Sequence, residues 1–232
     1  MTSLVLVRHG QASFGSDHYD KLSELGVRQS RLLGEHWLHT AFRFDAAFTG
    51  DMSRQRDTAR HALDAMQRGQ TAVETQHWFN EYEFEAVMRA YLPQVARERP
   101  ELGLQHGGLY NNPKLFQKAF EMAIDKWVGA HPHEQPSFES WKDFCARCVN
   151  GLNRIADSGH EHAVVFTSGG VIAVALREAL GLSDEMTFRL NWRIYNSSVH
   201  QLRKSRSGWS LLGYNNISHL ELAGARDLIT FR

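Results

Sequence analysis

The sequence predicts a three-layer α/β/α sandwich with a mostly parallel sheet, and three observations carry that expectation. Leu4–Val7 and Ala163–Phe166 are short apolar runs that suit strands buried on both faces. Each runs into polar residues and glycine, Arg8-His9-Gly10 and Ser168-Gly169-Gly170, where open α/β sheets place their ligands. Between the runs, amphipathic helical patterns alternate with short strand-like segments, the rhythm of a parallel sheet.

In chain order, Gly10 to Leu22 is polar and reads as a loop over the carboxyl edge of the first strand. Ser23 is placed to cap a helix whose apolar stripe is Leu25, Leu32, Leu33 and Trp37. Ala46-Ala47-Phe48 reads as a short strand and Thr49-Gly50-Asp51 as a turn. The next helix carries Arg54 in its first turns, with Thr58, Ala59 and Ala62 on adjoining positions. Val73–Trp78 is expected to form a third strand, ending at Phe79-Asn80-Glu81.

From about residue 85 to 135 the βα rhythm breaks. Pro93, Pro100, Pro113, Pro132 and the Gly107-Gly108 pair punctuate a stretch of scattered aromatic and basic residues. About fifty residues make a marginal core. The stretch is therefore read as an insertion of short helices and loops over the ligand edge, within a single domain of residues 1–232. A long helix from about Ser137 to Asp157 returns to the core. The Ala163–Thr167 strand follows, then a helix through Leu180 that stops at Gly181. Val199–Arg203 and Trp209–Gly213, joined through Ser207-Gly208, suggest a hairpin at one sheet edge.

Composition removes several function classes. Hydrophobic residues make up 42% of the chain and charged residues 22%, ordinary values for a globular protein. Lys plus Arg and Asp plus Glu are equal at 26 each, so no global field favours nucleic acid or an anionic membrane. There is no signal-peptide core and no 18-residue apolar run, which points to the cytoplasm. Cys145 and Cys148 have a C-x-x-C spacing. They share a helical face with Trp141, Phe144, Leu152 and Ile155, so buried thiols are expected rather than a redox or metal pair. His160-Glu161-His162 lacks the i, i+4 spacing of a helical metal site, and no metal or other cofactor is expected.

The strand ends bring together groups of one chemical kind. Arg8 and Arg54 are forked donors suited to phosphate. The Ser168-Gly169-Gly170 helix start adds backbone N–H groups and the positive end of a dipole. Phosphoryl transfer needs mainly positioning and charge neutralisation, and His9 among such groups is placed for in-line attack on phosphorus. Glu81, Glu83 and Glu85 compete for the role of proton donor, and strand alternation does not choose between Glu81 and Glu83.

Leu6-Val7-Arg8-His9-Gly10-Gln11, with Leu22, Gly26 and Gln29, resembles the opening of the histidine phosphatase superfamily, the phosphoglycerate-mutase-like branch 1. Arg54, Thr58 and Ala59 are similar to that family's second-arginine motif, Asn80-Glu81 to its proton-donor site, and Val165–Gly170 to its second-histidine site. The resemblance implies a nucleophilic His9, phosphate-binding Arg8 and Arg54, and Glu81 as acid and base; Ser168 and Gly169 at the helix start are expected to bind phosphate beside them. The implied activity is metal-independent phosphomonoesterase chemistry through a phosphohistidine.

Two departures from the family pattern shape the expectation. Ser168 stands where the family has its second histidine, so one imidazole is replaced by a hydroxyl that carries no charge. After the first strand the mutases read R-H-G-E-S-x-W-N, whereas this chain reads Arg8-His9-Gly10-Gln11-Ala12-Ser13-Phe14-Gly15, which favours a phosphatase over a mutase. The expected partner is a phosphorylated small molecule, with no nucleic acid and no membrane; homodimer formation stays open. Arg89, Arg97, Arg99, Lys114 and Lys118 of the insertion are candidates for leaving-group contacts. Two rivals stand: a protein that binds a phosphorylated ligand without turnover, and a serine esterase using Ser168 with His219 as base. Phe166 occupies the position where a nucleophile elbow needs a small residue, which counts against the esterase.

Overall fold

The computed structural model describes residues 1–13, 20–104, 112–130 and 138–231; Phe14, Gly15, the Gly107-Gly108 pair, Pro132 and Ser137 lie outside them. Among the described residues six strands form one sheet in the order β3-β2-β4-β1-β5-β6. β1 (Thr2–Arg8), β4 (His162–Thr167), β2 (Ala46–Thr49) and β3 (Val73–Thr75) run parallel. β5 (Val199–Ser205) lies antiparallel beside β1, and β6 (Gly208–Asn216) completes the hairpin at the edge. The sheet is thus mixed, with a parallel centre.

Alternation along the central strands builds two cores. Val5, Val7, Ala47, Val164 and Phe166 share one face with Leu33 and Trp37 of α1 (Glu24–His39) and Ala59, Ala62 and Leu63 of α2 (Ser53–Ala65). Leu4, Leu6 and Val165 point the other way and are fully buried. On the hairpin, α5 (Trp141–Asp157) is held by Asn153, whose Oδ1 accepts from Lys204 Nζ at 3.1 Å and Trp209 Nε1 at 3.0 Å. α6 (Gly169–Leu180) is buried from Gly169 to Leu176 and ends at Gly181 in the left-handed region.

Several elements differ from the sequence expectation, each for a visible reason. The buried stripe of α1 is Gly26, Gln29, Ser30, Leu33, Gly34 and Trp37: Leu33 and Trp37 are buried as expected, while Leu25 and Leu32 are only half-buried and glycine, glutamine and serine take their place. A Cβ on Gly34 would fall 2.0 Å from the Ala62 carbonyl oxygen, so the two helices meet backbone to backbone and small residues win over leucines. β3 stops at Thr75 instead of Trp78, because a 3-10 turn at His77–Phe79 carries Phe79 into full burial. α5 begins at Trp141, where the Ser140 hydroxyl accepts from the Asp143 N–H at 3.1 Å. α7 (Asp184–Asn191) and α8 (Ser218–Leu222) had no sequence counterpart, although Ser183 followed by Asp184 and Glu185 is a helix-start signal.

By contacts the chain divides into two compact units, residues 1–81 with 147–232, and residues 82–146. The second unit is built on α3 (Phe84–Glu98) and α4 (Pro113–Gly129), which are full helices rather than the short pieces the prolines suggested. Val87, Tyr91 and Val95 on α3 and Phe116, Phe120, Ala123 and Trp127 on α4 give each a buried stripe. Pro93 is carried inside α3, and Pro113 begins α4, where a missing N–H costs nothing. Cys145 and Cys148 are buried thiols, not joined in a disulfide. No helix among the described residues is long and apolar enough to cross a membrane.

Candidate active site

β2, β4 and β1 are adjacent and parallel, so Thr49, Thr167 and Arg8 end at the same edge of the sheet. His9 follows Arg8 and is 7% exposed. Its Nδ1 lies 2.7 Å from the Gly10 carbonyl oxygen, which only accepts, so Nδ1 carries the proton. Nε2 is left with its lone pair and accepts from Arg54 Nε at 3.1 Å. Burial holds the His9 pKa well below the usual histidine range, and the guanidinium groups of Arg54 and then Arg8 push it the same way. The imidazole is therefore neutral at pH 7, with Nε2 available as a nucleophile.

The main chain around His9 is fixed from all sides. Its N–H donates to the Thr167 carbonyl at 2.8 Å, and its carbonyl accepts from Ser197 N at 3.2 Å and Asn196 Nδ2 at 3.3 Å. The Gly10 N–H donates to Thr58 Oγ1 at 3.0 Å, and that hydroxyl in turn donates to the Arg54 carbonyl. Gly10 has no substitute: a Cβ there would lie 2.4 Å from the Gly26 carbonyl oxygen. Gln11 N donates to Gln29 Oε1 at 2.8 Å, and Gln29 Nε2 reaches Leu228 and Thr230 near the carboxyl end of the chain.

The other predicted residues converge on the same edge. Arg8 donates through Nη1 to the Ile194 carbonyl, and a Cβ on Gly169 would lie 3.7 Å from Arg8 Nε. Arg54, 6% exposed, stands on the first turn of α2 and also donates through Nη1 to Asp20 Oδ1 at 2.9 Å. Glu81 accepts the Gly170 N–H on Oε2 at 3.0 Å, which places its carboxylate at the head of α6. The segment before it is anchored: the Phe79 carbonyl accepts from Gln55 Nε2 and Thr167 Oγ1, and the Asn80 carbonyl accepts from Arg147 Nη1. Glu83 is exposed and precedes α3 in the second unit.

Ser168 is fully buried, and its hydroxyl accepts from Gln55 Nε2 at 2.7 Å. The esterase pair does not form: His219 Nε2 is 2.8 Å from Ser197 Oγ, and Ser168 meets Gln55 instead. Asp20, Gln55, Arg147 and the Asn196-Ser197-Ser198 turn were missed by sequence reading. Only Gln55, next to Arg54, carried a local signal. Arg97 donates to the Pro93 carbonyl and Arg99 pairs with Glu101; with Arg89, Lys114 and Lys118 they are exposed on the second unit. Among the described residues no group of three or more His, Cys, Asp or Glu side chains is placed to hold a metal ion.

The sequence model of the histidine phosphatase superfamily (branch 1) matches residues 4–115 and 104–217. The chain belongs to that superfamily. This histidine phosphatase family member is 23% identical over 227 residues to a 2,3-bisphosphoglycerate-dependent phosphoglycerate mutase of Borrelia garinii subsp. bavariensis, covering 88% of each chain. Its fold matches the phosphoglycerate mutase of Bacillus anthracis str. Sterne with a TM-score of 0.67 at 19% identity, over 97% of each chain. It also matches the phosphoserine phosphatase of Entamoeba histolytica with phosphoserine bound, at a TM-score of 0.63 and 16% identity, over 95% of this chain and all of that one. The alpha-ribazole phosphatase of Shigella flexneri gives 0.63 at 18% identity, over 93% and 97% of the two chains. Mutases and phosphatases thus share the fold of this superfamily member, and the choice between them belongs to the chemistry of the site.

Proposed function

We propose that this protein is a phosphomonoester hydrolase that works through a phosphohistidine on His9. The observation that carries the reading is the buried, neutral imidazole, fixed through Nδ1–H on the Gly10 carbonyl and presenting Nε2 to Arg54. In the first step Nε2 attacks phosphorus, the bond to the ester oxygen breaks, and Glu81 gives that oxygen a proton. Water then attacks phosphorus, Glu81 takes its proton, and the P–N bond breaks to return free His9 and inorganic phosphate. Arg8, Arg54, the Ser168 hydroxyl and the Gly169 segment bind the phosphoryl oxygens, a role that guanidinium forks and a helix start suit. Hydrolysis is favoured over mutase chemistry because Ala12 and Gly15 stand in the sequence where the mutases carry the Ser hydroxyl and the Asn amide that handle the substrate.

The test is rapid-quench hydrolysis of p-nitrophenyl phosphate with mapping of the labelled residue. A burst of nitrophenol with acid-labile phosphate on His9, insensitive to chelator, is the expected result. A stable phosphoenzyme that passes its phosphoryl group to an added phosphoglycerate faster than to water would make the protein a mutase. Vanadate binding with no turnover of any monoester would make it a phospholigand-binding protein.

A further inference from the structure

Asp20 lies in none of the segments that carry the family resemblance, yet it holds one of the two arginines of the site. Its carboxylate divides between two donors on adjacent residues. Oδ1 accepts from Arg54 Nη1 at 2.9 Å, and Oδ2 accepts from the backbone N–H of Ser53, the first residue of α2, at 2.7 Å. The loop is tied beside it, since Ser13 N donates to the Lys21 carbonyl at 2.9 Å and Ala12 bridges Leu22. Asp20 therefore links a fixed loop end, the start of α2 and the guanidinium in one contact.

The shape of the guanidinium says what that contact does. The group is planar, and its N–H donors point in fixed directions. Nη1 lies on the side of Cδ, while Nε and Nη2 share the opposite edge. With Nη1 drawn to Asp20, the edge that carries Nε turns to His9, and Nε meets Nε2 at 3.1 Å. A phosphoryl group on Nε2 would present its equatorial oxygens to that edge. We propose that Asp20 is a positioning residue that sets the guanidinium of Arg54 for the phosphoryl group transferred to His9. The assignment rests on the phosphohistidine reading and adds a residue to it. A contrary role is also definable: a carboxylate that merely stood in the place of phosphate would compete with it, and its removal would tighten anion binding.

The experiment is a double-mutant cycle on the full chain, reading kcat and KM for p-nitrophenyl phosphate and vanadate affinity for wild type, Asp20→Ala, Arg54→Ala and the double variant. Asp20→Ala should lower kcat/KM by about 10- to 100-fold, mostly through kcat, and weaken vanadate, as expected for a misplaced catalytic contact. In the Arg54→Ala background the same change should cost less than about twofold, because Asp20 then has nothing left to position. Asp20→Asn, which keeps an oxygen for Nη1, should recover part of the loss. Arg54→Lys supplies a second background if Arg54→Ala does not fold, and circular dichroism checks each variant. Equal losses in both backgrounds, tighter vanadate in Asp20→Ala, or no loss from an active wild type would overturn the assignment. A wild type that binds vanadate without turnover overturns the hydrolase alone, and the vanadate cycle still judges Asp20. A wild type that does neither overturns both.

Discussion

On the proposed mechanism His9 uses one nitrogen to hold its tautomer and the other to react, while Ser168 contributes only a hydroxyl; substitutions at the two should differ in size. His9→Ala removes the covalent route and is expected to leave turnover at background. Ser168→Ala removes one hydrogen bond to a charged group, worth about 1.5–3 kcal/mol, or roughly 10- to 150-fold in kcat/KM. Steady-state kinetics on purified variants decides this, and an active His9→Ala would end the phosphohistidine mechanism. Ser168→His is expected to cost stability by about 1–3 kcal/mol through overpacking, because Ser168 is fully buried with Gln55 Nε2 at 2.7 Å. At this scale the sequence was informative where a motif is local. Arg8, His9 and Arg54 were legible from their neighbours, and Glu81 only from the resemblance. Asp20 and the Asn196–Ser198 turn were not legible, because what they do is defined by contacts across the fold rather than by adjacent residues.

α2 shows how one element serves the site with several side chains. Arg54 faces His9, Gln55 faces Ser168, and Thr58 joins the Arg54 carbonyl to the Gly10 N–H. Thr58→Val keeps the shape and removes the hydroxyl, leaving the buried Gly10 N–H without its acceptor. It is expected to cost about 1–3 kcal/mol of stability and to lower kcat more than it raises KM, since Gly10 also fixes the His9 ring. A fall in the denaturant midpoint with unchanged kinetics would show that Gly10 is held in place without Thr58. Gly26→Ala is the harsher test of the same junction. Its Cβ would fall 2.1 Å from the Gln11 carbonyl oxygen, so α1 must retreat from the β1 loop, and both folding yield and turnover are expected to drop. Element types were legible wherever hydrophobic period and glycine punctuation agreed, as in β1, β4, α6 and the β5–β6 hairpin. A buried face was partly misread where small or polar residues took the burial, as on α1, and a helix was read as short pieces where tertiary packing carried it through Pro93.

Acid should weaken the whole molecule well before its carboxylates are protonated, because buried histidines are held neutral. His200 and His219 are buried at 0% and 3% exposure, and burial pulls each pKa from 6.5 to about 3, with Arg8 adding to the effect at His200 and His36 at His219. Their hydrogen bonds do not offset this: His200 Nδ1 accepts from the Asn215 N–H, and its Nε2 meets the Ser198 hydroxyl. His219 Nε2 meets the Ser197 hydroxyl. The folded pKa lies below the unfolded one, so between pH 6.5 and about 3 the unfolded chain binds protons that the folded chain refuses. Stability is therefore full above pH 6.5 and drains as the pH falls, by about 1.4 kcal/mol per pH unit for each histidine. From pH 6.5 to 5.0 the pair should remove about 3 kcal/mol, a large share of the roughly 5–15 kcal/mol that holds a domain together. His9, shifted in the same direction, steepens the slope further. Urea unfolding followed from pH 7.5 to 5.0 should show the midpoint falling steadily below about pH 6.5, and His200→Gln and His219→Gln should each flatten that fall by about one proton. A midpoint that stays level down to pH 5.0 in the wild type would mean that these imidazoles accept protons in place, and that the turn behind His9 tolerates charge.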